Sequence, residues 1–403
     1  MTEQKMLPKK KLLLLVHRIP YPPNKGDKIR SFHLLEELRE QFDVHLGCFV
    51  DDPADWQWAD ELRARVAELK LIKLDPRVAT IGSARALLQR QALSLPYYRN
   101  RQMQRWVDAS VKAGCDRVMV FSSTMAQYVE KHSQLTRVAD FVDVDSDKWR
   151  QYAESKRWPI SAIYQRESKR LLAFERKIAA SFKATALVTD AEVALFQQLA
   201  PESADRIHRV ANGVDWRYFD AELSPASPYG NNPVVAFTGA MDYWANADAV
   251  IWFAENVWPL VHAKMPDAEF HIVGGKPTAQ VQQLADKDGV FVAGRVPDMR
   301  PYITGAKVTV ASLRIARGVQ NKVLESLALE VPVLASEQAA EGLEPGVDES
   351  SGLQVLNVND PAPWVDAVVA ALNTNKRYPA GRKYILNAYD WHRNLSQFVQ
   401  MLL

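Results

Sequence analysis

The sequence predicts two doubly wound α/β domains in succession, and three observations lead there. At 403 residues the chain exceeds the roughly 250–300 residues at which single cores stop growing. Short apolar runs alternate with helix-period segments in both halves, the pattern of strands joined by crossover helices. A Pro-, Ser-, Gly- and Asn-rich run from Ser224 to Pro233 separates the halves. The predicted boundaries are 1–215, 216–385 and a terminal helix over 386–403.

Composition narrows the class. The chain is 47% apolar and 24% charged, ordinary for a globular protein, and no low-complexity tract occurs. The net charge of +2 conceals a basic first half and an acidic second half. That asymmetry suits an anionic or membrane-bound partner for the first domain, and equally a solvated surface. No nucleic-acid partner is expected. Cys48 and Cys115 form neither a disulfide framework nor a metal set and read as buried thiols of a reducing compartment. Lys9-Lys10-Lys11 followed by Leu12–Val16 imitates a signal peptide, but the apolar run is too short and meets His17-Arg18-Ile19-Pro20. It reads as the first buried strand. No run approaches the roughly 18 apolar residues of a membrane span, so the chain reads as soluble or peripheral.

The first strand ends at Val16 and enters an extended, proline-rich loop to Arg30. Lys25, Gly26 and Asp27 stand where the helix 29–42 begins, either as a plain strand–helix turn or as a loop facing an anion. A strand at 44–50, a helix at 54–69 and a strand at 71–74 follow. Helical stretches fall at 84–92 and 101–113, and buried strands at 117–121 and 137–145. The last of these ends among Asp143, Asp145 and Asp147. Carboxylates at a strand's carboxyl end suit either a polar site or helix capping. Residues 149–183 read as a long basic helix broken near Pro159. A strand at 184–189 precedes a helix capped by Asp190.

The second domain opens with the strand 234–238 and then Gly239. A helix spans 246–265, and strands at 268–273 and 290–293 end in Gly274-Gly275 and in Gly294-Arg295. Three successive strand ends carrying glycine leave room for a ligand along one sheet edge.

The chain is organised around 311–336. A strand end, a loop bearing Arg314 and Arg317, a helix opening at Gly318-Val319 and closing near Glu330, and a buried strand at 331–335 make one parallel crossover. In open α/β sheets ligands sit beyond the carboxyl ends of the strands. A helix amino terminus offers unpaired N–H groups and partial positive charge, which suits phosphate. Arg314, Arg317 and Lys322 add cations, and Glu325 is an acceptor for a pair of sugar hydroxyls.

Together, Asn212-Gly213-Val214-Asp215, Phe237-Thr238-Gly239 and the run Gly318 to Glu325 before Pro332-Val333 resemble the GT-B glycosyltransferases, specifically family 4, which are retaining nucleotide-sugar transferases. His17 to Pro23, Lys25 to Arg30 and Ala316 to Glu325 look more narrowly like the sugar transferases associated with PEP-CTERM/exosortase systems, which sit among bacterial exopolysaccharide genes. The resemblance implies a nucleotide-sugar donor on the second domain and a glycan or lipid-linked acceptor on the first, with the terminal helix crossing back to the first. It implies Gly239 beside the diphosphate, Gly294, Arg295 and Val296 at the base, and Glu325 at the ribose. Gly26 would be the glycine of the first domain that faces the phosphates.

Where the family has a carboxylate eight residues before Glu325, this chain has Arg317. The Arg–Lys pair with which the family commonly neutralises the diphosphate is not recognisable after Gly239, so Arg314, Arg317 and Lys322 are expected to supply that charge, with Lys322 and Arg317 as catalytic candidates and Asp145 as a further one touching sugar or acceptor. No metal and no cofactor are expected, since the nucleotide-sugar is a substrate. The resemblance also leaves two rivals, a catalytically silent nucleotide-sugar-binding subunit and a nucleotide-sugar epimerase on the same fold.

Overall fold

The structure, a computed structural model, describes residues 9–23, 25–84, 91–154, 156–316 and 318–403. Its contacts divide the chain into two units, Met1–Ala211 with His392–Leu403, and Asn212–Trp391.

The first unit holds strands β1 (Lys10–Val16), β2 (Phe42–Val50), β3 (Glu68–Lys73), β4 (Arg117–Phe121), β5 (Thr136–Val142), β6 (Ala184–Leu187) and β7 (Ile207–Arg209). They form one sheet in the order β3-β2-β1-β4-β5-β6-β7, with every pair parallel. Leu12 through Val16 are wholly buried, because a parallel sheet covered by helices on both faces has no solvent side. The order reverses between β1 and β4, which makes their carboxyl ends the switch point.

The crossover helix Gly26–Gln41 turns two of its cations inward. Lys28 donates to Asp55 at 2.8 Å. Arg30 donates to both carboxylate oxygens of Asp140, at 2.7 and 3.2 Å, and to the carbonyls of Val210 and Ala211 at 2.8 and 3.2 Å. Those carbonyls belong to the end of the unit, so Arg30 fastens the chain just where the second unit starts. The units part there, a few residues before position 215, and Val214 already donates to the carbonyl of Tyr389 in the second unit.

Several elements differ from the sequence expectation. The helix expected over 54–69 is a 3-10 turn Pro53–Trp58 and a short helix Ala59–Arg63, because the parallel ladder of His45 with Glu68 and Leu46 with Leu69 draws that stretch into β3. The helix Asp190–Leu199 is capped by Thr189, whose hydroxyl accepts from Glu192 N–H, and not by Asp190. Most of the helical stretch expected at 84–92 lies outside the described residues; a helix Pro76–Ala84 precedes it. The long basic segment divides into helices Asp145–Glu154 and Ile160–Ser181, packed antiparallel.

The second unit holds β8 (Val234–Thr238), β9 (Glu269–Val273), β10 (Val290–Gly294), β11 (Val308–Ala311), β12 (Val333–Ser336) and β13 (Leu353–Leu356). The order is β10-β9-β8-β11-β12-β13, again all parallel, with the switch point between β8 and β11. The expected helix 246–265 is two, Trp244–Asn256 and Trp258–Lys264, with Pro259 at the start of the second, where a missing N–H costs nothing.

The terminal helix also divides. Pro379–Ala388 stays in the second unit, where Arg382 donates to the carbonyls of Phe219 and Ala328 and to Asp220. After the break at Tyr389-Asp390 comes the helix Trp391–Leu402, which from His392 on belongs to the first unit. There Arg117 donates to the carbonyl of Leu402 at 2.6 Å and Arg30 lies over the Phe398 ring.

Removing one partner of a buried ion pair leaves the other charge uncompensated. Asp140→Ala is expected to destabilise the first unit by about 3–5 kcal/mol in urea unfolding. The double change Arg30→Met with Asp140→Leu is expected to recover much of that loss.

Candidate functional site

The carboxyl edge of the second sheet is built from glycine turns and one lysine. β8 runs into Gly239, which takes φ +149°. Gly239 N–H donates to the carbonyl of Val273, Met241 N–H to Gly275, and Gly274 N–H to Gly294. A side chain at Gly274 would place its Cβ 1.6 Å from the Gly239 carbonyl oxygen, so the β8 and β9 ends meet backbone to backbone. The glycines at these strand ends thus first serve the approach of loop to loop. Gly294, with φ +69° and open space at its Cβ position, is the one that leaves room beyond the edge, and the exposed Arg295 follows it.

The helix from the organising stretch supplies the charge. It opens at Asn321, not at Gly318, and ends at Ala328. The physical reason is at Gly318, whose φ of +62° is left-handed and cannot belong to a right-handed helix. Its carbonyl oxygen lies 2.5 Å from the Cβ position of Gly342, so two glycines hold this loop as well. Val319 packs, half-buried, against the apolar core. Among the described residues no side chain caps the helix start, and a helix start of this kind suits an anion.

Lys322 stands in the first turn. Its Nζ donates to Asn246 Oδ1 at 2.5 Å and lies 4.4 Å over the Phe237 ring. Asn246 Nδ2 in turn donates to the carbonyl of Ala240 at 2.9 Å. The Cβ position at Gly239 would lie 3.4 Å from Nζ and 2.8 Å from Asn246 Nδ2. The ammonium is therefore pressed against the β8 turn, partnered by a neutral amide.

Glu325, one turn on, is the nearest counter-charge. Burial pushes the Lys322 ammonium down to about 7 against the pull of Glu325, and burial pushes the Glu325 carboxyl up to about 7 against Lys322. Burial thus pushes both groups toward their neutral forms, which makes the pair responsive to an incoming anion or hydroxyl.

The other predicted residues are placed differently. Arg314 forms a bidentate ion pair with Asp248 on the Trp244–Asn256 helix, so its charge is already answered. Arg317 lies outside the described residues. Asn246, which sequence reasoning treated only as a helix start, is the residue that joins Lys322 to the glycine turn. The signal that could have found it is an amide in the first turn of that helix, among apolar residues and seven residues after Gly239.

In the first unit, Lys25 is exposed at the helix start and Gly26 is its first residue, with open space at the Cβ position. Asp27 is clasped by Arg18 at 2.6 Å and by His17 Nε2 at 3.4 Å. Burial raises its carboxyl pKa, but the hydrogen bond and charge of His17 and the Arg18 guanidinium outweigh that and hold it well below the usual carboxylate range. Arg18 also donates to Asp51 at 3.1 Å. Asp27 is thus part of a network and not an open acceptor. Asp145 begins a helix and shares Lys148 with Asp143, at 3.2 and 2.7 Å. Beneath it the wholly buried Glu175 accepts from Ser146 N–H at 3.3 Å; burial and the Asp145 charge push its carboxyl up to about 8.

Two all-parallel Rossmann-like sheets in one chain, each with its switch point at the carboxyl edge, define the GT-B architecture. Residues 232–374 match the family model described as Glycosyl transferases group 1, so the second unit carries a domain of that kind and the chain is a glycosyltransferase. The whole fold is similar to that of Anabaena Alr3699/HepE in complex with UDP and glucose, with TM-score 0.66 and 14% identity over 98% of this chain and 99% of that one. It is also similar to sucrose-phosphate synthase from Thermosynechococcus elongatus, with TM-score 0.65 and 18% identity over 98% of both chains. A third likeness is WaaG, a glycosyltransferase involved in lipopolysaccharide biosynthesis, with TM-score 0.65 and 16% identity over 97% and 99%. No curated protein sequence matches the chain.

The contact at Gly274 gives a direct test of the edge. Gly274→Ala is expected to cost about 2–3 kcal/mol in chemical unfolding, as overpacking does. Gly230→Ala, which has open space around it, is expected to change stability by less than about 0.5 kcal/mol.

Proposed function

We propose that this enzyme is a retaining glycosyltransferase that moves a sugar from a UDP- or GDP-sugar to a lipid-linked or oligosaccharide acceptor in exopolysaccharide biosynthesis, working in the cytoplasm at the inner membrane face. The observation that carries the donor side of this reading is Lys322, held by Asn246 against the Gly239 turn at the switch point, with Glu325 one turn along the same helix. The Alr3699/HepE structure with UDP and glucose, which shares the fold, agrees with a uridine nucleotide as donor. The residues quoted for the resemblance to the exosortase-associated transferases support the acceptor and pathway.

On this reading the donor diphosphate sits at the start of the Asn321–Ala328 helix, against Lys322 and the backbone N–H groups, and the ribose hydroxyls donate to Glu325. Negative charge grows on the diphosphate as the glycosidic bond to it breaks. A preorganised ammonium and helix terminus stabilise that charge. Arg317, adjacent to Gly318 in the sequence, is the second cation of this reading, and Arg295 borders the base. No step requires a metal or an organic cofactor. Lys25, Gly26 and Asp145 are assigned to the acceptor or phosphate side.

Lys322→Ala is expected to lower turnover, followed as nucleotide release with UDP- and GDP-sugars, by about 10²-fold or more. Glu325→Ala is expected to raise donor KM by about 10- to 100-fold, the loss of hydrogen bonds to a charged group. Unchanged turnover in both variants would discard the site. A binding subunit would take up UDP and release nothing with any acceptor, and an epimerase would isomerise the sugar without one.

The pH profile tests the same pair. A diphosphate against Lys322 restores its proton, so donor affinity is expected to weaken as pH rises above about 7. The ionised Glu325 accepts from both ribose hydroxyls with charge-assisted bonds, which protonation weakens, so affinity is expected to fall as pH drops below about 7. Calorimetry with UDP should give a bell centred near neutrality. Lys322→Met is expected to flatten the alkaline limb and Glu325→Gln the acid limb.

A further inference from the structure

The turn between helices Asp145–Glu154 and Ile160–Ser181 shows an apolar and cationic surface that the donor site does not use. Trp158 is 82% exposed, Ile160 48% and Ile163 36%, and Lys156 and Arg157 beside them are exposed too. Neither cation pairs with a carboxylate among the described residues. Residues 156–170 hold five Lys/Arg and one Glu. That Glu, Glu167, is buried and accepts from Ser94 N–H and Ser94 Oγ, so it adds nothing to the face.

The placement of the turn follows from topology. The first helix starts just after the carboxyl end of β5, and the second returns to β6, so it runs antiparallel to the strands. The Trp149 and Tyr164 rings, 5.0 Å apart, lock the two helices side by side. The first helix therefore continues in the strand direction for ten residues, about 15 Å at 1.5 Å per residue. The turn overhangs the carboxyl edge of the first sheet by that distance.

A tryptophan and two isoleucines at a projecting tip, flanked by unpaired Lys and Arg, match the membrane–water interface. Indole prefers the headgroup level, aliphatic side chains the acyl boundary beneath it, and cations the anionic headgroups. The cationic rim complements an anionic lipid surface and disfavours a second copy of the same face. We propose that Lys156–Ile160 with Ile163 is a docking surface for an anionic phospholipid membrane. It brings the carboxyl edge of the first sheet to the bilayer. It deepens the reading of a lipid-borne acceptor and rests on that reading for its purpose, though not for its physics, since docking needs no donor.

The test is flotation of the full-length protein with vesicles of phosphatidylcholine alone or with 30 mol% phosphatidylglycerol, each at low and high salt. The expected result is binding to the anionic vesicles only, weakened by salt. Trp158→Ala with Ile160→Ala is expected to lower partitioning about tenfold or more, and Trp158→Phe to restore much of it. Lys156→Ala with Arg157→Ala is expected to lower it by about fivefold per cation. Both sites are exposed, so melting temperatures should stay near the wild type. Absence of wild-type binding to anionic vesicles, or equal binding by both double variants, would overturn the proposal. So would a dimer in sedimentation velocity that Trp158→Ala dissociates while vesicle binding is unchanged, since the face would then join two copies. UDP binding and nucleotide release with a soluble acceptor, measured on the same variants, separate failure here from failure of the transferase reading.

Discussion

The carbonyl of Gly239 lies so near Gly274 that a Cβ at the latter would sit 1.6 Å from its oxygen. That single contact sets the distance between the ends of β8 and β9, and the hydrogen bonds from Gly239 to Val273 and from Met241 to Gly275 hold it. With the β8 turn fixed, Asn246 can reach the carbonyl of Ala240, and Lys322 can reach Asn246. Each bond is modest alone. Their value lies in sequence, because the lysine is oriented only if the amide is, and the amide only if the turn is.

Holding a lysine this way has an energetic cost that the chain leaves partly unmet. Desolvation disfavours the ammonium, and a neutral amide cannot return what a carboxylate would. Glu325 supplies some compensation from one turn away and is itself pushed toward neutrality by burial. A fully paired lysine would be more comfortable and less useful, since an arriving anion would have to displace its partner. The residual strain in the site is removable by a ligand carrying the opposite charge, which is how a preorganised site differs from a structural ion pair.

The architecture was legible because parallel strands buried on both faces must be written as continuous apolar runs. Leu12–Val16 and Val308–Ala311 are such runs, and both are strands. Boundaries were less legible where one backbone conformation decides them. Gly318 reads as a natural helix start, yet its left-handed φ moves the helix to Asn321. Lys322, Glu325 and Gly239 were legible as a motif and the fold gathers Lys322 and Gly239 at one edge. What no local pattern could show was which cations already have partners. Arg314 with Asp248 is a pair across 66 positions, and Arg30 with Asp140 one across 110.

That last distinction separates the two units chemically. Each has a glycine and nearby cations at the start of a helix that follows a strand, and from sequence the two look alike. In the first unit Lys28 is answered by Asp55, Arg30 by Asp140 and Arg18 by Asp27 and Asp51. Those cations stabilise the fold, and an anion gains little from groups already neutralised. In the second unit Lys322 donates to an amide and lies over a ring face, with the Glu325 carboxyl acting on it only through space. Between two similar loops, Lys322 is the inward-turned cation whose hydrogen-bond partner is neutral, and that difference supports the proposed placement of the donor on the second unit.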